Sequence, residues 1–221
     1  HNSINRQWFD SVKYFSQNAR RSYYMTASPK MSLTPDKPGM NETDVYGDII
    51  CDVPVTQMIY DGYIVPPNLI TIKSDQVVDG KYPADVDINN LLKSITDNQL
   101  NTVLVSCKNT TQLYHVSTSE RFTTFCNDND YTIYTISSKY GCIINGDKVP
   151  RNDFMNHMKN NTGKYIIFHV SILCEGINLP KLEGLIMLKK LDTIKLIQSI
   201  GRVLRLDGDK TEGKVILPLY S

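Results

Sequence analysis

The sequence predicts an α/β fold in which helices flank both faces of a parallel β-sheet. Four short apolar runs, each suited to a strand buried on both faces, lie at residues 102–105, 131–136, 165–170 and 185–188. Near-continuous apolar runs of this kind are typical of parallel strands, whereas half-exposed strands alternate between apolar and polar residues. Segments with helical spacing separate the runs, which favours a layered α/β architecture. We expect about five or six strands in the sheet.

The first 44 residues are predicted to lie outside this sheet. Apolar residues at near-helical spacing predict an amphipathic helix over residues 4–20, and residues 22–27 predict a short strand that Ser28-Pro29 ends. The following segment is rich in Pro, Gly, Lys and Ser and predicts a linker over residues 30–44. We therefore expect a domain boundary here, with one large domain over residues 45–221.

The large domain is predicted to contain further elements on either side of the four apolar runs. Asn145-Gly146, between apolar neighbours, predicts a tight hairpin turn. The other predicted elements are strands at residues 49–53, 69–72 and 214–217 and helices at residues 56–60 and 87–99.

Composition excludes several classes of protein. Of the 221 residues, 41% are hydrophobic and 21% are charged, which is ordinary for a globular protein and excludes a disordered chain. The longest apolar runs are far shorter than the roughly 20 residues that span a bilayer, so no membrane association is expected. The net charge of +1 excludes a strongly basic nucleic-acid coat but leaves room for a local phosphate-binding groove.

The five cysteines are widely spaced and contain no Cys-x-x-Cys pair, so we expect reduced thiols and no zinc site. The four histidines are also scattered, and no metal-ligand spacing is present. An intracellular protein, cytoplasmic or nuclear and of cellular or viral origin, is expected.

Residues 193–205 contain the most informative pattern in the chain. On a helical wheel, Gln198, Arg202 and Arg205 fall on one side, opposite an apolar stripe. Arginine forks on a rigid helix are suited to bidentate phosphate binding, although a solvated polar face would give the same pattern. Two further features favour phosphate binding. Arg202 and Arg205 are two of only seven arginines in the chain, and Gly201 directly precedes Arg202, where helix propensity disfavours glycine and a close neighbour would favour it.

A second segment, residues 166–180, predicts a buried strand followed by a loop that contains Glu175, Gly176 and Asn178. Ligands of open α/β sheets bind beyond the carboxyl ends of the strands, so this loop is placed to contact a phosphate or a ribose. A generic turn explains the same residues.

Together these segments resemble superfamily 2 helicases and translocases. Residues 198–205, Gln-Ser-Ile-Gly-Arg-Val-Leu-Arg, match the Gln-x-x-Gly-Arg-x-x-Arg pattern of motif VI, and residues 171–180 resemble motif V. Residues 103–109 are similar to motif IV, and residues 26–29 are similar to motif III, which ends the first of two motor domains. Residues 45–66 resemble the start of the second domain in restriction-type and repair-type members.

The resemblance implies a RecA-like second motor domain over residues 45–221, preceded by a helix–strand remnant of the first motor domain over residues 1–29. It implies that Arg202 and Arg205 are arginine fingers for ATP held by the first motor domain, and that Gln198 contacts motif III or the nucleotide. The remaining implied roles are ATP contacts by Gly176 and Asn178, contacts to a nucleic-acid backbone by Ser106, Lys108, Asn109 and Ser171, and coupling through motif III by Thr26 and Ser28. Where this chain has Asn178, the family often has aspartate.

No Gly-x-x-x-x-Gly-Lys-Ser/Thr phosphate loop and no Asp-Glu-x-His/Asp motif occurs in the sequence. The resemblance therefore implies that ATP and Mg²⁺ are bound mainly by a first motor domain of a longer protein, and that this chain alone is inactive. The expected function is that of the second motor domain of an ATP-dependent helicase or translocase. DNA is favoured over RNA as the partner because of residues 45–66. The alternative is a non-catalytic nucleic-acid-binding or scaffold module with the same fold.

Overall fold

In the computed structural model of this chain, residues 6–26, 29–34, 37–74, 84–170, 179, 181–188 and 193–220 are described. The chain forms two compact units, residues 1–55 and residues 56–221. The first unit contains helices α1 (Arg6–Asn18) and α2 (Thr43–Tyr46), and helix α3 (Val55–Tyr60) begins at its end.

The first unit is held together by local hydrogen bonds. The Ser16 hydroxyl of α1 donates to the carbonyl oxygen of Val45 in α2. The proline-rich segment closes on itself, since the Met40 N–H donates to the Lys30 carbonyl at 2.9 Å. The amide oxygen of Asn41 also accepts from the Ser32 N–H at 2.7 Å. The predicted first helix is thus confirmed, and the assignment of residues 1–29 to the end of a first motor domain stays a prediction.

Two predicted strands are wrong, one before the predicted linker and one at the start of the predicted large domain. Residues 22–26 and residues 49–53 have no regular secondary structure, and both Ile49 and Ile50 are exposed. An apolar, β-branched segment becomes a strand only where a neighbouring strand supplies partners for its N–H and C=O groups. All eight strands of the sheet lie between Pro67 and Tyr220, in the second unit.

The second unit is built on one eight-stranded sheet in the order β1-β8-β7-β2-β6-β3-β4-β5. The first six strands in this order are parallel, and β4 and β5 add an antiparallel extension beyond β3. The strands are β1 (Pro67–Ser74), β2 (Thr102–Ser106), β3 (Tyr131–Ser137), β4 (Gly141–Ile144), β5 (Asp147–Val149), β6 (Lys164–His169), β7 (Gly184–Met187) and β8 (Gly213–Tyr220).

The predicted pairing of the apolar runs is confirmed. Strands β2 and β6 are parallel neighbours, with Thr102 opposite Tyr165 and Ser106 opposite His169. The predicted hairpin is also present, and its two turn residues, Asn145 and Gly146, have φ values of 48° and 95°. Both residues therefore adopt the left-handed conformation that a two-residue hairpin turn of the primed type requires.

Helices cover both faces of the sheet, as the sequence predicts. The helices of the second unit are α4 (Ala84–Asp97), α5 (Thr110–Ser117), α6 (Glu120–Asp128), α7 (Arg151–Asn160) and α8 (Thr193–Val203). Alternate residues of β2 face the two layers: Val103 and Val105 pack with α4, α5 and α6, and Leu104 packs with α7 and α8. Because both faces of each central strand are buried, the strands carry continuous apolar runs.

Within the described part of the chain, none of the helices combines the length and the apolar composition needed to cross a bilayer.

Candidate ATP and nucleic-acid sites

The candidate arginines lie at the end of α8, beside a pocket of about 410 Å³. Arg202 and Arg205 both line this pocket, together with Tyr63, Lys181 and Asp207. Arg205 is exposed at the surface, whereas Arg202 is buried, with 7% of its surface accessible. The two arginines therefore offer cationic groups at different depths of one pocket.

The burial of Arg202 corrects the prediction that both arginines project from an exposed face. Gln198 is half-buried, and the exposed stripe of α8 is formed by Ile197 and Gly201, one turn apart. The helical wheel fails here because the end of α8 is covered by a segment from elsewhere in the chain. The Val65 N–H donates to the Leu204 carbonyl at 2.8 Å, beside a β-bridge between Ile64 and Arg205.

The end of α8 is also fixed by Lys210, a residue that the sequence analysis missed. Its ammonium donates to the carbonyl oxygens of Leu182, at 2.5 Å, and Val203. Burial lowers the pKa of Lys210, and the nearby charges of Glu183 and Asp207 oppose this effect. Lysine side chains can bond the last carbonyls of a helix, but Lys210 lies seven residues after Val203, so no local sequence signal indicates this role.

Lys181 is a third cation in the arginine pocket that sequence reasoning missed. It has a positive φ of 50°, which is uncommon for a residue with a side chain. Three backbone contacts hold this conformation. The Lys181 N–H donates to Asp207 Oδ2 at 2.8 Å, the Lys181 carbonyl accepts from the Thr102 hydroxyl, and the neighbouring Glu183 N–H donates to the Thr102 carbonyl at 3.0 Å.

The donor set of this pocket fits an anionic group such as the phosphates of ATP. Arg202, Arg205 and Lys181 bring three cationic side chains to one pocket, and guanidinium groups match the geometry of phosphate oxygens. Asp207 is the one carboxylate among the lining residues, and it already accepts from the Lys181 N–H. These residues suit a polyphosphate better than a Mg²⁺ ion, which requires several oxygen ligands.

Three of the predicted nucleic-acid residues, Ser106, Lys108 and Asn109, lie at the opposite edge of the sheet. Ser106 is the last residue of β2, and Lys108 and Asn109 follow it, whereas the arginine pocket adjoins Thr102 at the start of the same strand. Five strand residues span roughly 16 Å. We call the end of the sheet that carries Thr102 the amino edge, and the end that carries Ser106 the carboxyl edge.

At the carboxyl edge, Lys108 and Asn109 are exposed, while Ser106 is buried with 1% of its surface accessible. Asn109 caps α5, since its side-chain oxygen accepts from the Gln112 N–H at 2.8 Å. Gln112, also missed by the sequence analysis, fixes the preceding loop. Its side-chain oxygen accepts from the Lys108 N–H at 2.6 Å, and its amide group donates to Asp87 Oδ2 at 2.7 Å.

Several predicted residues lie outside the described part of the chain. These are Ser28 of motif III and Ser171, Gly176 and Asn178 of motif V. In the same two motifs, Thr26 is exposed, and Leu179 is buried and lines the arginine pocket.

Comparison with solved structures supports the architecture. The chain superposes on the ATP-dependent type ISP restriction-modification enzyme LlaBIII, bound to DNA, with a TM-score of 0.64 and 16% sequence identity. The match covers 89% of this chain and 15% of that enzyme, so the chain corresponds to a small part of the larger protein. The fold is RecA-like. No protein-family model and no curated protein matches the sequence.

Weaker likenesses are found to other structures. The DUF1998 helicase MrfA, bound to DNA and AMPPNP, has a TM-score of 0.47 and 16% identity over 69% of this chain and 20% of that one. Domain 2 of the DEAD-box helicase Mss116p, bound to an RNA duplex, has a TM-score of 0.44 and 13% identity over 71% of this chain and 54% of that one.

Proposed function

We propose that this RecA-like domain is the second motor domain of an ATP-dependent nucleic-acid helicase or translocase. The observation that carries the proposal is the arrangement at the end of α8. Two arginines of a motif VI-like segment and Lys181 line one pocket, at a helix terminus that Lys210 and Val65 hold in place. Rigid support for cationic groups favours stabilisation of charge that develops in a transition state over simple ion binding.

In this proposal, Arg205 contacts the γ-phosphate of ATP because it is the exposed arginine at the pocket. Arg202 lies deeper and supports the same phosphates, and Gln198 contacts motif III or the nucleotide. Gly176 and Asn178 contribute from the segment next to Leu179. A first motor domain supplies the phosphate loop and the ligands of Mg²⁺, which provides the remaining charge neutralisation when bound. ATP hydrolysis would then be coupled to closure of the two domains.

The carboxyl edge is proposed to hold the nucleic-acid backbone. Lys108 and Asn109 provide exposed side chains there, whereas the hydroxyl of Ser106 is buried. Ser171 is expected to add a contact. Such contacts to phosphate carry no base information, which is compatible with a chain of net charge +1. We favour DNA over RNA, because LlaBIII is an ATP-dependent enzyme bound to DNA and residues 45–66 resemble restriction-type motors.

The test is steady-state ATPase activity of the protein that carries both motor domains, with saturating nucleic acid. Arg205→Ala is expected to lower kcat by roughly 10³-fold with a much smaller change in nucleotide affinity, since an arginine finger acts mainly in the transition state. Arg205→Lys should restore little activity, because an ammonium group lacks the planar fork of a guanidinium.

Arg121 provides a matched control. It is exposed on α6, outside every motif, and donates only to the side chain of Asn89 among its described hydrogen bonds. Arg121→Ala should leave kcat nearly unchanged. If Arg205→Ala retains more than about half of the wild-type rate, the arginine-finger assignment is wrong. The non-catalytic nucleic-acid-binding module then becomes the better proposal.

A further inference from the structure

A second pocket, of about 320 Å³, lies between α5, α6 and the hairpin formed by β4 and β5. Its lining includes Tyr114 of α5 and Tyr140 of the loop before β4. None of the motifs that indicate a motor domain includes these two tyrosines, so their arrangement needs a separate explanation.

The two tyrosine rings form an aromatic pair that is open to solvent. Their centroids are 5.3 Å apart and the rings are tilted by 33°. Tyr114 is 51% exposed, and Tyr140 is half-buried. The Nζ atom of Lys139 lies 5.0 Å from the centroid of the Tyr140 ring, within cation–π distance. A pair that served packing alone would gain most by burying both rings.

The aromatic pair lies at the carboxyl edge of the sheet. Tyr140 follows the end of β3 by three residues, and Tyr114 lies in the second turn of α5, which begins directly after Lys108 and Asn109. Four residues of helix correspond to a rise of about 6 Å. Tyr114 therefore lies little more than one helical turn from the two residues proposed to hold a nucleic-acid backbone.

Several polar groups around this pocket already form hydrogen bonds within the protein. The Thr118 hydroxyl donates to the Tyr114 carbonyl at 2.7 Å, and the Thr123 hydroxyl donates to the Ser119 carbonyl at 3.1 Å. The side-chain oxygen of Asn145 accepts from the Ile133 N–H at 2.8 Å. The pocket thus favours recognition through flat apolar faces over hydrogen bonds to the edges of a base.

We propose that Tyr114 and Tyr140, with Lys139, form a stacking platform for a base of a single-stranded nucleic acid whose phosphate is bound at Lys108. The proposal rests on the proposed function and adds to it the recognition of unpaired bases. Aromatic side chains next to cationic groups bind single strands in this way, and the binding tolerates sequence because every base has a flat face. The platform would select single strands over duplex, in which the base faces are already stacked.

The test uses a single-stranded oligonucleotide of about 12 nucleotides that carries one 2-aminopurine, titrated with residues 1–221 at low salt. Wild-type protein should raise the fluorescence anisotropy of the 2-aminopurine strand and quench its fluorescence through stacking. Tyr114→Ala should weaken binding by about 5- to 150-fold, which corresponds to the effect of one stacked base, and should abolish the quenching. Tyr114→Phe should retain both signals.

Tyr60 is the matched control, since it is 88% exposed at the end of α3 and far in sequence from the platform. Tyr60→Ala should bind like the wild type. If Lys108→Ala weakens binding while Tyr114→Ala and Tyr140→Ala do not, the platform is overturned and the proposed function survives. If wild-type protein does not bind the strand, both the stacking platform and the nucleic-acid contacts proposed at the carboxyl edge are wrong. Loss of binding in Tyr114→Phe would exclude stacking as the cause.

Discussion

Replacing Gly201 by alanine should move stability and activity in opposite directions. Gly201 is exposed on α8, and an added Cβ would have no heavy atom within 4 Å. Alanine in a helix interior is favoured over glycine by about 0.8–1.0 kcal/mol, and no clash offsets this gain. Because Gly201 lies two residues before Val203, where the helix ends, we expect a gain of about 0.5–1 kcal/mol in the free energy of unfolding.

The gain is measurable by urea or thermal unfolding of residues 1–221. Far-UV circular dichroism is the appropriate signal, because the single tryptophan, Trp8, lies in the first unit. The expected rise in Tm is about 2–3 °C. In the protein that carries both motor domains, we expect the first domain to pack closely on the exposed face of α8 at Gly201, so the added methyl group should lower the ATPase rate by at least about 5-fold.

Gly213 supplies the opposite control at the same helix end. A Cβ there would lie 2.6 Å from the Val203 carbonyl oxygen and 2.9 Å from Leu204 Cδ2. Gly213→Ala should therefore destabilise the protein by about 1–3 kcal/mol. If Gly201→Ala is no more stable than the wild type, the conclusion that an added Cβ at this position meets no neighbour is wrong. One that is more stable and fully active would refute a close contact at Gly201.

Three other outcomes follow from the structure. Lys210→Met should lower the free energy of unfolding by about 1–2 kcal/mol in urea, because the carbonyls of Leu182 and Val203 lose a charged donor; unchanged stability would contradict this role. Asn109→Asp should keep the cap of α5 and therefore the stability, but it should weaken oligonucleotide binding because it adds a negative charge. Asn109→Ala removes the cap and should lower the free energy of unfolding by about 1 kcal/mol. Burial raises the pKa of the Cys126 thiol to about 12, so the folded state keeps a proton that the unfolded chain loses above about pH 9. The contribution of Cys126 to stability should therefore be fully present at pH 8 and smaller by about 1.3 kcal/mol at pH 10, and Cys126→Ala should remove this part of the fall in urea unfolding at the two pH values.

Most of the sheet could be predicted from the sequence, because strands buried on both faces must be apolar at every position. Residues 102–105, 165–170 and 185–188 each fall on a central strand for this reason. The Asn145-Gly146 turn was also predictable, since few residue pairs adopt positive φ at both positions. The two wrong strands, at residues 22–27 and 49–53, have suitable composition but lack a neighbouring strand, which local sequence does not specify.

The candidate sites were predicted less completely than the fold. The motif VI pattern indicated Arg202 and Arg205, yet the segment that pairs with Leu204 and Arg205 at the end of the helix, residues 64–65, comes more than a hundred residues earlier in the chain. Lys181 and Lys210 belong to no motif. Lys181 lines the pocket and Lys210 bonds to the end of α8, because β7 and β8 are adjacent strands that begin at the same edge.

The sequence by itself determined the fold class, the strands of the core and the helix that carries the arginines, because these follow from local periodicity and turn chemistry. Only the tertiary structure decided which residues share a site. It placed the arginine pocket at the amino edge and Lys108, Asn109 and the tyrosine pair at the carboxyl edge, on opposite ends of the same strands. The physical reason is that strand order and long-range packing set these distances, and neither is encoded in the spacing of residues along one segment.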